Sequence, residues 1–152
     1  MSDALAAVQD RTFARATKLT AGAYPPERRL TAAQLTGYLG RRAFAVIATA
    51  RPDGRPHAVV SGYVHRDDLF WLPVAEDSVR ERNVSHQPWT TLVITHGERD
   101  EHVVVIVEGS ATVVPAADVP ADVRAQARGE WAGTWLRVRA ERVISYASEG
   151  AL

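Results

Sequence analysis

Near Ala43 the spacing of apolar residues changes, and this break constrains the fold more than any other feature of the chain. Before it, Leu35, Tyr38 and Leu39 recur at helical spacing behind a Thr31/Gln34 capping-box pattern. After it, short apolar runs alternate with turn signals at residues 44–49, 56–65, 69–74, 89–95, 103–114 and 135–146. Pro52-Asp53-Gly54 and Arg66-Asp67-Asp68 join the first three runs as turns, and Gly109 marks a bulge or bend in the fifth. Six strands at this spacing predict a mainly β (α+β) protein built on a small antiparallel barrel. Short helices are expected at 4–18, from Thr31, around 78–83 and at 118–128. Residues 1–30 read as a helical or extended arm, and 31–152 as the barrel domain.

The run 56–65 divides into two faces by alternation. Ala58, Val60, Gly62 and Val64 are small and apolar, as a curved barrel interior requires. His57, Val59, Ser61, Tyr63 and His65 mix polar and aromatic groups, as the floor of a binding cleft does. A solvent-facing side has the same composition, so alternation leaves both readings open.

The 18 basic and 18 acidic residues give zero formal net charge, which argues against general attraction to nucleic acid or anionic membranes. The chain has no cysteine, which excludes disulfides, thiolate metal sites and cysteine nucleophiles. Neither a signal-peptide pattern nor an apolar run of membrane-span length is present, so a cytoplasmic protein is expected.

The segment Asp77-Ser78-Val79-Arg80-Glu81-Arg82-Asn83 is the main candidate for chemistry. A helix N-terminus with guanidinium groups on its first turns suits a phosphate. Arg80 and Asn83 share a face, while Arg82 points away from them. Ser78 and Glu81 also fit a capping box, which explains both as structure alone, and a solvated connector helix is the competing account. The five histidines show no metal-ligand spacing, and Ser61 lacks the partners of a catalytic triad. Trp131 and Trp135 suit a core or a subunit interface, and a ring stacked on a flat cofactor is a further reading.

The run from Phe44 to His57, the strand to His65, then Ser78-Val-Arg-Glu-Arg-Asn83 and Gln87-Pro88 resemble the pyridoxamine 5'-phosphate oxidase-like superfamily. That resemblance covers about residues 31–114 and, more loosely, the last strand. It implies a six-stranded antiparallel split β-barrel and a homodimer that holds a flavin or deazaflavin at the subunit interface. By position, Ser78 and Arg80 match the phosphate-binding residues, and Arg82 and Asn83 the Arg-Asn of the deazaflavin-linked branch. His57, Val59 and Ser61 are then expected to border the ring, with Trp135 approaching from the other side. The implied activity is hydride transfer between FMN and a small organic substrate. Coenzyme F420 is the alternative cofactor, and the arginine-rich N-terminal segment (Arg11, Arg15, Lys18, Arg28 and Arg29) is available to its acidic tail. A flavin- or haem-binding carrier or sensor without turnover is the alternative of another class. Two departures stand out. Trp71-Leu72-Pro73-Val74 lacks the hydroxyl the family places there, and the C-terminus lacks its pyridoxamine phosphate-reading residues.

Overall fold

The computed structural model describes residues 3–152. In chain order the elements are α1 (Ala4–Ala14), α2 (Lys18–Ala23), α3 (Ala32–Arg41), β1 (Phe44–Ala50), β2 (Pro56–Gly62), β3 (Val64–Arg66), β4 (Leu69–Val74), α4 (Val79–His86), β5 (Trp89–Glu98), β6 (Glu101–Pro115), α5 (Ala121–Gln126) and β7 (Thr134–Ala147). The seven strands form one sheet in the order β2-β1-β5-β6-β7-β4-β3, with every pairing antiparallel. The two edge strands, β2 and β3, are separated in the chain by Tyr63 alone. A single residue cannot cross an open sheet of this width, so the sheet curls until its edges meet. The result is a split β-barrel.

The expected single strand over 56–65 is therefore two strands, which raises the count from six to seven. Tyr63 supplies the break. Its amide donates to Ala43 O at 3.2 Å and its hydroxyl to Leu39 O at 2.7 Å, tying the corner to the end of α3. Before Tyr63 the face assignment is also reversed, while Val64 beyond it is buried as expected. Val59 packs against the main core, and Ser61 is buried beside it. Val60 is 63% exposed, on the same side as Phe44 at 67%. Cross-strand pairs explain the arrangement: His57, Val59 and Ser61 sit opposite the buried Thr49, Ile47 and Ala45.

Leu72, Val74, Leu92, Ile94, Val105, Val107, Leu136 and Val138 fill the barrel. At Gly109 an added Cβ would lie 1.8 Å from Arg139 O, so only glycine permits the strands to approach there. The pairing shifts at this point, Glu108 facing Arg142 and Gly109 facing Ala140. Glu141 is left over as the bulge residue, and its carboxylate accepts from Ser110 N and Oγ at 3.0 and 2.9 Å.

The N-terminal segment departs from the expected continuous helix. Thr17 caps a separate α2 by accepting from Thr20 N at 3.2 Å. α1 lies on β7 and contributes Leu5 and Val8 to the core. A buried polar network fastens it: Gln9 Nε2 donates to Leu30 O at 2.9 Å, and Ser145 Oγ donates to Gln9 Oε1. Thr12 Oγ1 accepts from Val143 N at 3.0 Å. Of the five basic residues expected to meet an acidic ligand tail, Arg28 pairs with Glu149 and Arg29 covers the Phe13 ring. No helix among the described residues is long and apolar enough to cross a membrane.

Candidate functional site: a cationic cleft at the start of α4

The β1–β2 hairpin closes through Gly54 N to Arg51 O at 2.8 Å, with Gly54 at φ +86°. That turn hangs over the beginning of α4. Between them lies a cleft of about 410 Å³ lined by Arg51, Pro52, Arg55, Val79, Arg82 and Asn83, with Asp53 at its rim. Asp53 neutralises Arg55 through a 2.8 Å ion pair. Arg51, Arg80 and Arg82 have no ion pair among the described residues.

α4 starts where the sequence places it. Ser78 Oγ accepts from Glu81 N at 3.2 Å. The Glu81 carboxylate accepts from Asp77 N at 2.6 Å, one residue earlier than a regular capping box requires. Asp77 sits at φ +56°, which turns the chain sharply into the helix. The Val79 and Arg80 amides, at the first two helical positions, have no intrahelical acceptor.

Asn83 is fixed rather than free. It is buried, and its Nδ2 donates to Thr49 Oγ1 at 3.0 Å, locking α4 to β1. His57 sits opposite Thr49 on the neighbouring strand. Arg80 lies one turn before Asn83 on the same helix face. The fold thus gathers His57, Thr49, Arg80 and Asn83 on the inner side of the hairpin, beside the cleft.

Two polar atoms in this group lack a partner: Arg80 Nη1 and His57 Nδ1 are both buried and make no hydrogen bond. An unsatisfied buried donor is costly, and a guanidinium more so, which marks a position built for an acceptor. Burial lowers the Arg80 pKa. The His57 pKa is lowered first by burial, then by the Arg51 and Arg80 charges. The Arg80 shift reflects desolvation alone, whereas at His57 neighbouring positive charge adds to it, and a phosphate placed here relieves both. The residues present fit a phosphate-bearing cofactor in this respect. The end of β4 offers none of the expected help, since Trp71, Leu72, Pro73 and Val74 are all buried and carry no hydroxyl.

The remaining expected residues fall on either side. Val59 faces the core, and Ser61 donates to Gly62 O at 3.0 Å, so both lie farther along the inner face of β2. Trp135 is placed elsewhere. It is fully buried in a second apolar cluster with Trp71, Val114, Val119, Val123 and Ala132, leaving no ring face free within this chain. Sequence reading missed Arg51 and Thr49. Arg51 read as part of a turn and Thr49 as a strand end, and only their closeness to α4 gives them roles.

The pyridoxamine 5'-phosphate oxidase family model matches residues 31–148. No curated protein matches the chain. Several solved structures share the fold. A conserved hypothetical protein from Mycobacterium tuberculosis has a TM-score of 0.68 at 18% identity, over 82% of this chain and 89% of that one. An FAD-binding protein from Mesorhizobium loti has a TM-score of 0.63 at 19% identity, over 78% of this chain and 95% of that one. The heme storage protein HutZ from Vibrio cholerae has a TM-score of 0.61 at 16% identity, over 76% and 95% respectively. With the family model spanning nearly the whole barrel, from the cap of α3 to the end of β7, this chain belongs to the pyridoxamine 5'-phosphate oxidase family.

Proposed function

We propose that this protein is a flavin-dependent oxidoreductase that binds FMN and exchanges a hydride between it and a small organic substrate. The unpartnered, buried Arg80 Nη1 beside the open amides of α4 carries this reading. Arg80 is the phosphate ligand, with the Ser78-capped helix start behind it and Arg82 at the rim. His57, which lacks a partner at Nδ1, supplies a second polar contact, while Asn83 and Thr49 hold helix and hairpin at a fixed separation. The backbone of edge strand β2 at Val59 and Ser61, whose side chains face inward, borders the ring. Bound flavin supplies the electron chemistry, and the protein orients it and sets the charge around it.

A homodimer with the cofactor between subunits completes the proposal. Its support is the outer face of the sheet. Phe44, Val46 and Val60 are exposed there, Ala48 faces Ala58, and Val93 and Ile106 continue the apolar surface across β5 and β6. A contiguous apolar face of this kind marks an association surface.

Coenzyme F420 is the second reading, favoured by Arg51 and Arg82. They stand unpaired at the mouth of the cleft and exceed the needs of one phosphate. Fluorescence titration of the purified protein with FMN and with F420 tests both. FMN quenching at micromolar concentration or below supports the flavoenzyme, and selective binding of F420 transfers the site to a deazaflavin. Binding of neither removes the enzyme reading, and a Soret band on haem addition replaces it with a carrier.

A further inference from the structure

At the other end of the β1–β2 pair lies a second cavity, of about 410 Å³, that the flavin reading does not use. Seven residues of extended β1 place it about 20 Å from the cleft at the start of α4. Its walls include Arg41 and Arg42 from the end of α3, Phe44 and Tyr63 from the barrel corner, and Gln126 and Arg128 from the end of α5. No acidic side chain lines it, and its three arginines make no ion pair among the described residues.

The cavity is held open by specific contacts. Arg128 occupies a left-handed conformation at φ +50°, which a residue with a side chain adopts only when its surroundings impose it. Those surroundings are visible. The next residue, Gly129, lies so close to the buried Trp135 that an added Cβ would approach its ring to 2.5 Å. Gly129 N also donates to Arg124 O at 3.0 Å. Trp135 thus anchors the turn that presents Arg128. On the opposite wall, the Tyr63 hydroxyl fixes the last turn of α3, which carries Arg41 and Arg42. Gln126 Oε1 accepts from Arg66 Nη2 at 2.6 Å, leaving its amide nitrogen as a donor. Asp122, the nearby acid, is engaged by the same Arg66 at 3.3 Å.

We infer that this cavity is a binding site for a small organic anion with an aromatic or apolar body. Guanidinium groups pair with a carboxylate or phosphate through two parallel hydrogen bonds and also stack on flat rings. Ala43, Ala127 and the Tyr63 ring offer an apolar wall for the body of the ligand. The volume lies within the roughly 300–1,000 Å³ of small-molecule sites.

The test uses phenyl phosphate and benzoate as anionic probes and benzamide as the neutral control, with backbone amide NMR on the full chain. The anions are expected to shift amides at 40–44, 62–63 and 126–128, with affinity falling as salt rises. Benzamide is expected to leave those amides unmoved. The double variant Arg42→Ala/Arg128→Ala, on exposed positions, is expected to lose at least about tenfold in affinity while its spectrum elsewhere stays unchanged. Shifts that separate phenyl phosphate from benzoate show which head group the arginines prefer, and either one supports the site. Equal response to benzamide, undiminished affinity in the double variant, or shifts confined to 51–57 and 79–83 would overturn it. The last pattern reports on the Arg80 cleft, so the two sites are distinguished in one spectrum.

Discussion

At the scale of single residues, the same cleft contains structural pins and free donors. Asn83 and Thr49 satisfy each other, so Asn83→Ala is expected to destabilise the protein by about 1–3 kcal/mol, the cost of leaving a buried partner unpaired. Urea unfolding measures this, and Thr49→Val in the same background should add little, because the two residues act as one contact. His57 and His65 both have pKa values held below the ordinary 6.5, each first by burial. The folded state therefore binds fewer protons than the unfolded state just below pH 6.5. Stability is expected to fall as pH drops through that range and to level off below the folded-state values. Unfolding midpoints between pH 7.5 and 5 check the sign, and His57→Gln/His65→Gln should flatten this part of the curve. The shared face of Arg80 and Asn83 was legible from the short helix sequence, but not that Asn83 is taken up by Thr49. Arg51 and Thr49 were not legible, because their roles come from a hairpin folded over that helix rather than from spacing along the chain.

At the scale of elements, the alternating run after Pro56 shows what sequence can and cannot supply. Period two separates two faces, but it does not say which of them is inside. The small apolar set Ala58, Val60 and Gly62 has the composition of an interior, yet it lies outside opposite Phe44, Val46 and Ala48. The orientation is fixed by the partner strand, whose buried Ala45, Ile47 and Thr49 face His57, Val59 and Ser61. Splitting at Tyr63 is equally non-local, since it depends on hydrogen bonds to Ala43 and Leu39. α4, by contrast, was readable because its cap is local. Ser78→Ala should cost about 1 kcal/mol of stability by removing the acceptor for Glu81 N, with its effect concentrated on hydrogen exchange in α4.

At the scale of the whole molecule, curling the sheet hides one face and leaves an apolar patch open on the outside of β2, β1, β5 and β6. The proposed dimer covers that open face. Val60→Glu puts a charge on this face and is expected to shift the protein toward monomer in analytical ultracentrifugation, with far-UV circular dichroism unchanged. If the cofactor sits between subunits, the same variant loses flavin affinity although it lies outside the Arg80 cleft. The central claim, that Arg80 holds the phosphate of a flavin, is tested most directly by comparing FMN with riboflavin on the native protein and on Arg80→Ala. The native protein is expected to prefer FMN by about 10- to 150-fold, the equivalent of roughly 1.5–3 kcal/mol for a hydrogen bond to a charged group. In Arg80→Ala that preference should collapse while riboflavin binding stays nearly constant. An FMN preference that survives the substitution, or equal loss of both ligands, would contradict the account.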